Sequence, residues 1–493
     1  MFYVNFINPT DCFGAGVKCL RTTAYCLLGT ILLLSAAACG ATTKVSGDLQ
    51  AAIDAASPGD TLLVSAGVYD KITIEKSLNL VGEGAVILAG QRDAGVDVRA
   101  DRVNISGFMV RNGFYGIKLN SVQGCRISNN TVLDCVQPGI ALLFSDNNTI
   151  VGNNASFNGL GGEGWYGIYL SNSDHNQIRN NVACNNGAYG IDLFPSCSNN
   201  TIAGNVLKRN MYGLYMFTDC ADNLIEGNVM SENTNSGLDM RFNCHHNAVL
   251  NNTIENNVVA GVTLMSSSRN LIKGNLIDAN GRYGLQIQSG SDDNLITNNT
   301  ISQSQTGLFM DSTGNRIYSN TIAENVVQAE DRDSNIWNAS YPIGGNLWSD
   351  YIGTDEMSGV NQDLPGEDGF GDSSYQINER ADDRYPVMGG QVQQIALVQK
   401  SLSPLKARIG DNINIQAALS SKYDLSQVVV RAFPEGGSES CGYARLSPSG
   451  DAYAGKLSTG LMDQGDYEIV LIARDTRGYE LVENLGLIEV SSR

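Results

Sequence analysis

The chain has 493 residues and carries 51 acidic and 32 basic side chains, which gives a formal net charge of -19 at pH 7. This balance argues against general nucleic-acid binding and against docking on anionic lipid through a basic patch, because both need clustered Lys and Arg. Hydrophobic residues make up 42% of the chain, with 54 Gly and only 10 Pro, which excludes an acidic disordered chain and favours many turns and short strands.

Residues 1–39 have the order of a secretory signal peptide. Basic side chains precede an apolar run at 24–34, and small residues then lead to Cys39. The run is short for a bilayer span and no second long apolar run follows, so we expect an exported chain whose mature part has no transmembrane span. The basic region begins late, which predicts a translation start near Val17. A retained anchor and a lipid anchor at Cys39 are the alternatives.

Residues 40–100 are predicted to form an N-terminal cap and the first coils of a solenoid. A short amphipathic helix is predicted at 48–56. Short strands follow at 61–64, 72–74, 78–81 and 86–88. A cap is physically required, because the open end of a solenoid exposes core side chains and unpaired strand edges.

Residues 101–333 contain a repeat of mostly 23 or 24 residues. Each period has a Gly, then an aliphatic residue, and rows of Asn run in phase with it. The glycines are Gly116, Gly139, Gly167, Gly190, Gly213, Gly237, Gly261, Gly284 and Gly307. One longer interval predicts a protruding loop at 159–165. Three short strands per period, separated by turns, predict a single-stranded right-handed parallel β-helix of pectate-lyase-like architecture, an all-β fold. We expect the Asn residues to adopt the left-handed turn conformation and their amides to hydrogen-bond from coil to coil.

Three cysteines occupy one row of the repeat, at Cys197, Cys220 and Cys244. Consecutive coils stack about 4.8 Å apart, which is within reach of a disulfide, but parallel side-chain vectors disfavour the bond. We therefore expect packed thiols, with disulfides and a metal site as alternatives.

Residues 334–390 are predicted to form an acidic, Gly- and Asp-rich exit cap. Four carboxylates on Gly-punctuated loops are candidates for a calcium site, because Ca²⁺ prefers several oxygen ligands. They are Asp355, Asp363, Asp368 and Asp372. The alternative is a solvated acidic loop.

Residues 391–493 differ in composition from the repeats. Short alternating strands between Gly, Pro and Asp turns predict a small immunoglobulin-like β-sandwich. Cys441 is the only cysteine in this region, so it cannot form the usual intradomain disulfide.

One outward face of the predicted coils combines aromatic and charged side chains. The aliphatic residue after each repeat glycine points inward, so the next residue points outward. The candidate carbohydrate-binding residues are Trp165, Tyr166, Tyr169, Tyr189, Tyr212, Tyr215 and Phe217. Aromatic rings combined with polar groups suit sugars, which present both apolar CH groups and hydroxyls.

Asp192, Asp239 and Arg241 are the candidate catalytic residues on the same face. The two aspartates lie two coils apart, roughly 9.6 Å by the coil spacing. Inverting glycosidases hold their two carboxyl groups about 6.5–9.5 Å apart. The alternative is that Asp239 and Arg241 form an ion pair without a catalytic role.

Motifs at the two ends of the repeat carry a family resemblance. They are GDTLLVSAGVY at 59–69, LNLVGEG at 78–84, GGNLWSD at 344–350 and DDRYP at 382–386. Residues 45–388 resemble the NosD-type family of periplasmic copper-binding β-helix proteins and, more broadly, the carbohydrate-binding and sugar-hydrolase (CASH) repeat domains. The C-terminal region resembles the immunoglobulin-like modules of prokaryotic surface proteins.

The resemblance implies an accessory role in the maturation of nitrous oxide reductase and a copper site. Copper sites use soft or imidazole ligands. His245 and His246 adjoin Cys244, but adjacent strand residues point to opposite faces, and His175 lies three coils away. A copper site is therefore not expected from the residues.

These observations predict an exported cell-surface or envelope β-helix protein that binds polysaccharide or another envelope component along its tyrosine-rich face. Three alternatives remain open: a glycoside hydrolase or polysaccharide lyase, a NosD-like copper-handling accessory protein, and a structural or adhesive surface protein.

Overall fold

The computed structural model of the chain describes residues 40–159, 166–388, 395–421, 424–435, 440–460, 462–475 and 480–492. The predicted signal segment, Cys39 and Trp165 lie outside these residues. Between residues 40 and 388 the described chain coils through three parallel sheets, which confirms the predicted parallel β-helix. Within the described ranges, no helix has the length and apolarity needed to cross a membrane.

The first sheet of the β-helix has 15 described strands. They are Thr42–Val45, Thr61–Tyr69, Asn79–Leu88, Asn104–Ser106, Met109–Arg111, Arg126–Ser128, Thr131–Leu133, Thr149–Val151, Gln177–Arg179, Thr201–Ala203, Leu224–Glu226, Ala248–Leu250, Leu271–Lys273, Leu295–Thr297 and Arg316–Tyr318. The predicted N-terminal helix is present at Leu49–Ala55, and the Asp48 side chain caps it by accepting a hydrogen bond from the Ala51 amide at 3.0 Å.

The second sheet has 12 described strands and carries the candidate site. They are Ile72–Ile74, Val96–Val98, Ile117–Asn120, Ile140–Leu143, Tyr166–Ser171, Tyr189–Leu193, Tyr212–Phe217, Ser236–Arg241, Ala260–Met265, Tyr283–Ile287, Thr306–Met310 and Val327–Asp331. The third sheet has seven: Val206–Lys208, Val229–Ser231, Thr253–Glu255, Leu276–Asp278, Thr300–Ser302, Thr321–Ala323 and Leu347–Trp348.

Strands of neighbouring coils pair in register, so equivalent residues stack along the helix axis. In the second sheet, Ile168 pairs with Ile191, Ile191 with Leu214, and Leu214 with Leu238. All four side chains are fully buried in the core. Because side chains alternate along a strand, the residues between these positions face outward.

The repeat glycines are required by close approach between coils. A Cβ at Gly190 would lie 2.6 Å from the carbonyl oxygen of Gly213, and a Cβ at Gly213 would lie 2.6 Å from that of Gly237. Any side chain at these positions would therefore push the coils apart. The glycine row thus reflects packing in the second sheet.

Three ladders of asparagine side chains connect the turns of successive coils, as predicted. Asn228 is typical: its Oδ1 accepts from the amide and the Nδ2 of Asn205, each at 2.9 Å. Its Nδ2 donates to the Ile202 carbonyl at 2.8 Å and to the Asn252 Oδ1 at 3.0 Å. The ladder residues are buried, so each amide satisfies backbone groups that would otherwise lack partners.

The prediction that these asparagines adopt the left-handed conformation is wrong by one residue. Asn148 and Asn228 do not have positive φ, whereas the residues before them do: Asn147 at 56° and Gly227 at 61°. The ladder asparagine is needed for its amide. The preceding residue makes the turn, and at this position Gly, Asn, Asp and even Arg or Phe occur.

Cys197, Cys220 and Cys244 are buried free thiols, which confirms the packed-thiol prediction. Each sulfur lies within donor distance of a backbone carbonyl, such as that of Leu193 for Cys220 at 3.4 Å. These three cysteines therefore serve as small side chains that line the core.

The exit end of the β-helix is organised around Asp383. This buried carboxylate accepts from the Asn346 amide at 2.6 Å, the Trp348 indole Nε1 at 2.9 Å and the Tyr385 amide at 3.1 Å. Asn346 also ends one asparagine ladder, because its Oδ1 accepts from Asn320. Burial raises the pKa of Asp383 to about 7, with these hydrogen bonds acting in the opposite direction. Short strand pairs accompany this cap: Met357–Ser358 with Leu364–Pro365, and Tyr375–Gln376 with Asp382–Asp383.

The C-terminal region forms two further sheets around a separate core. The four-stranded sheet contains Ile395–Ser403, Asn412–Ser421, Ser447–Ser449 and Ala452–Ser458. The five-stranded sheet contains Lys406–Arg408, Leu425–Pro434, Gly442–Arg445, Gly465–Asp475 and Glu480–Ser491. Its immunoglobulin-like character stays a prediction.

Candidate functional site

Five tyrosines on the outward face of the second sheet stack on one another across three coils. Tyr166 lies nearly parallel to Tyr169 and to Tyr189, with ring centroids 4.8 and 5.2 Å apart. Tyr189 in turn stacks on Tyr215 at 4.7 Å and on Tyr212 at 5.5 Å. We call Tyr166, Tyr169, Tyr189, Tyr212, Tyr215 and Phe217 the aromatic stack; Phe217 joins it through Tyr215 at 5.8 Å.

The stacking decides what the surface offers to a ligand. Rings from adjacent coils cover much of one another, so the rings are mostly half-buried. The exposed parts are therefore ring edges, the remaining portions of the faces and phenol hydroxyls. Burial raises the pKa of Tyr189 to about 12 and raises that of Tyr166 and Tyr215 further, so the phenols stay neutral hydrogen-bonding groups.

Two aromatic residues adjoining the stack were not among the predicted site residues. Phe194 packs edge-on against Phe217 at 5.4 Å, and Phe242 does so at 5.0 Å. Both are more than one third exposed. Phe242 lies in the turn after its strand, with φ of 57°, so strand alternation gave no signal for it.

Asp192 and Asp239 lie in the row predicted for them, but they are not exposed. Asp192 pairs in register with Tyr169 on one side and Tyr215 on the other, and Tyr215 pairs with Asp239. The exposed fractions of Asp192 and Asp239 are 2% and 1%. Asp192 therefore lies between two tyrosines in its row, whereas Asp239 lies between Tyr215 and Thr263. Strand alternation alone does not show how far such neighbours bury a short side chain.

Arg241 binds Asp239 through two parallel hydrogen bonds. Its Nε donates to Oδ1 at 2.7 Å and its Nη2 donates to Oδ2 at 2.8 Å. The guanidinium also lies over the Tyr215 ring, 5.7 Å from its centroid. Burial raises the pKa of Asp239, and Arg241 acts against that shift. Asp239 and Arg241 therefore form the ion pair that was the alternative to catalysis, and their catalytic role stays a prediction.

No described residue pairs with Asp192 in this way. Its Oδ1 is buried and has no hydrogen-bond partner within the part of the chain that the structure describes. Burial raises the pKa of this carboxyl well above its usual range. Burial raises the pKa of Tyr166, Tyr169 and Tyr189, and the negative charge of an ionised Asp192 adds to that shift.

The four candidate calcium ligands do not come together as a cation site. Asp355 accepts from the amides of Asp368 and Gly369, each at 2.9 Å. Asp372 accepts from the Met357 amide at 2.9 Å. Asp368 likewise accepts from backbone amides, whereas Asp363 is exposed. Asp355, Asp368 and Asp372 thus hold loops together by accepting hydrogen bonds from N–H groups, and calcium binding by the four residues stays a prediction.

The residues that resemble copper ligands do not fit a copper site. His245 already accepts a hydrogen bond from the Ser268 amide through its Nδ1, at 3.0 Å. Cys244 contacts the Arg241 carbonyl at 3.2 Å from within the core. Within the described ranges, His, Cys, Asp and Glu form no group of three or more that could hold a metal ion.

Solved structures with a similar chain path include polysaccharide-modifying enzymes. The mannuronan C-5 epimerase AlgE4 A-module of Azotobacter vinelandii is 20% identical, covers 60% of this chain and 98% of that chain, and has a TM-score of 0.46. The periplasmic alginate epimerase AlgG is 15% identical over 63% of this chain and 85% of that chain, with a TM-score of 0.39. An alginate lyase from Paenibacillus sp. str. FPU-7 is 18% identical over 64% and 99%, with a TM-score of 0.32.

Two sequence comparisons accompany these structures. A cell surface glycoprotein of Methanothermus fervidus is 32% identical over 103 residues, which is 20% of this chain and 17% of that protein. The chain thus spans less than a fifth of the length of the curated relative that it matches. The family described as "Periplasmic copper-binding protein (NosD)" matches residues 53–238 and 194–353, which together span more than half of the chain. The chain therefore belongs to the NosD family.

Proposed function

We propose that this chain is an exported cell-surface or envelope protein that binds polysaccharide along the aromatic stack. The single observation that carries the proposal is the stack itself, a band of half-buried tyrosines on an outward sheet face. Contiguous, partly exposed aromatic rings on an outward face are a common feature of binding surfaces.

The chemistry of the band suits sugars. Ring edges and partly exposed faces contact the apolar CH groups of a sugar, while phenol hydroxyls exchange hydrogen bonds with its hydroxyls. Tyr212 shows this capacity within the chain, since its hydroxyl accepts a hydrogen bond from Asn235 Nδ2 at 2.9 Å. The in-register pairing of the strands repeats these groups along the helix axis, which suits a polymeric ligand.

Surface location is supported by the signal-like order of residues 1–39 and by the named location of the Methanothermus fervidus relative. Both observations concern delivery of the chain outside the cytoplasm. They agree with a ligand in the envelope or beyond it. Which polysaccharide binds depends on the side chains of the aromatic stack.

The test is glycan-array binding of purified residues 40–493, with reducing-end release measured on every polysaccharide that binds. Tyr189→Ala and Tyr215→Ala should each weaken binding about tenfold or more, because each removes a central ring of the stack. Tyr318→Ala is the matched control, since Tyr318 is a half-buried tyrosine on the first sheet. Equal binding by all three variants would refute the proposal, and release of reducing ends would favour the hydrolase or lyase alternative.

A further inference from the structure

Two aspartates occupy equivalent positions on the binding face, and among the described residues a cation pairs with Asp239 but not with Asp192. Asp192 and Asp239 each stand two residues after a repeat glycine and are 2% and 1% exposed. Two positions beyond Asp239 the chain has Arg241, and two positions beyond Asp192 it has Phe194. The two coils therefore present the same buried carboxyl, once with a neutralising side chain and once without.

Arg241 shows how a cation reaches a carboxylate in this row. Its side chain is 29% exposed and its guanidinium lies over the Tyr215 ring, yet it makes two short hydrogen bonds with the buried Asp239. A positive group that sits at the outer surface between aromatic rings can thus bind a carboxylate that is itself covered. Asp192 is buried to nearly the same degree as Asp239 although Phe194 stands where the arginine would be, so a positive group supplied by a ligand has to displace covering side chains to reach it.

Asp192 is costly as it stands. Its Oδ1 lacks a hydrogen-bond partner in the described structure, and leaving a buried polar atom unpaired is unfavourable. The neighbouring side chain Phe194 is 38% exposed and cannot neutralise it. Tyr169 and Tyr215 pair in register with Asp192 on either side, and aromatic rings of this kind attract cations to their faces.

We propose that Asp192 anchors a subsite for a protonated amine, and that the bound polysaccharide is an amino-sugar polymer with free amino groups. The inference rests on the proposed function and names the substrate class for that face. The ammonium group takes the place that Arg241 takes at Asp239, between the tyrosine rings and against the carboxylate. The formal net charge of -19 also favours a polycationic ligand, because an acidic protein attracts it and repels an anionic uronate polymer.

The experiment compares three oligosaccharide probes of equal length by isothermal titration at about pH 6, where an amine is protonated. They are glucosamine oligomers, N-acetylglucosamine oligomers and oligogalacturonates. Glucosamine oligomers are expected to bind most tightly. Asp192→Asn should weaken their binding about tenfold to a hundredfold, because a hydrogen-bonded charge contact is lost, and should leave the acetylated probe unaffected.

Phe194→Arg provides an independent variant. It supplies the missing cation from the chain, as Arg241 does for Asp239, and should therefore exclude the ligand amine to a similar extent. Phe194→Gln, which lacks the charge, should keep the preference for glucosamine. Asp311→Asn removes an exposed carboxylate that directly follows the strand Thr306–Met310 of the same sheet and is the control for general charge.

The outcomes separate the two proposals. Tight glucosamine binding that is lost in Asp192→Asn and Phe194→Arg and kept in the two controls supports the amine subsite. Binding of acetylated or anionic oligomers that equals glucosamine binding and ignores Asp192→Asn overturns the subsite while polysaccharide binding stands. Absence of binding by all three probes and by the glycan array overturns both.

Discussion

Replacement of Arg241 by Met should destabilise the β-helix by leaving a buried charge alone. Asp239 is 1% exposed, and Arg241 donates one hydrogen bond to each of its carboxylate oxygens, at 2.7 and 2.8 Å. Removing one partner of a buried ion pair costs about 3–5 kcal/mol, because the other charge stays desolvated. Met retains much of the volume over Tyr215, so the loss is expected to come from charge rather than from packing.

The loss should depend on pH in a direction that linkage fixes. Burial already raises the pKa of Asp239, and Arg241 opposes the shift, so the pKa rises further in Arg241→Met. A carboxyl with a raised pKa binds more protons in the folded state than its unfolded pKa of about 3.9 allows. The variant should therefore be most stable at low pH and should lose stability as the pH rises through the folded pKa, by about 1.4 kcal/mol per pH unit.

Urea unfolding followed by circular dichroism at about pH 5 and pH 8 measures this effect. Asp239→Asn is the matched variant: it leaves the partly exposed Arg241 free to reach water and should cost about 1 kcal/mol at either pH. The double variant should be less destabilised than the sum of the two single variants, because the charges are lost together. If Arg241→Met unfolds like the wild type at pH 8, or loses the same free energy at both pH values, the ion pair does not neutralise a buried carboxylate.

Three further predictions concern the scaffold. Asn228→Ala removes four ladder hydrogen bonds and should lower the free energy of unfolding by about 3 kcal/mol or more. The control, Asn361→Ala on an exposed loop, should change it by less than about 0.5 kcal/mol. Urea unfolding measures both variants. Gly213→Ala places a Cβ 2.6 Å from the next coil's carbonyl oxygen and should lower the melting temperature by several degrees in a thermal scan. The pKa of Asp383 is raised to about 7 in the folded state. The stabilisation of the folded state by its protonated carboxyl is therefore fully present below about pH 4 and is lost as the pH rises through 7. In urea titrations, the stability advantage of the wild type over Asp383→Asn should fall by about 4 kcal/mol between pH 4 and pH 8.

The coil architecture was predictable because the sequence repeats with a regular period. The glycine row marks one sheet, and the close approach of Gly190 to the Gly213 carbonyl is the reason that the row exists. The asparagine rows likewise reflect hydrogen bonds that only an amide side chain can make in both directions, as at Asn228. Periodicity identifies such positions because the same constraint acts in every coil.

Features that occur once were harder to predict. Asp383 is a single carboxylate in an irregular loop, and its hydrogen bonds to Asn346 and Trp348 join segments more than 30 residues apart. The acidic residues of the exit cap were assigned to calcium because carboxylates on loops bind either cations or backbone amides. At Asp355 the amides are those of Asp368 and Gly369, which depends on a loop path that spacing does not encode.

The contrast between Asp192 and Asp239 shows what decides function on a parallel β-helix. The backbone ladder makes the coils equivalent, so the environment of an outward side chain is set by the occupants of its own and the adjacent row in neighbouring coils. At Asp239 the adjacent row holds Arg241, which pairs with the carboxylate; at Asp192 it holds the uncharged Phe194, and Oδ1 has no hydrogen-bond partner in the described structure. A single substitution in a row therefore converts an internal ion pair into a cation subsite without any change of backbone, so one scaffold can carry many different binding faces.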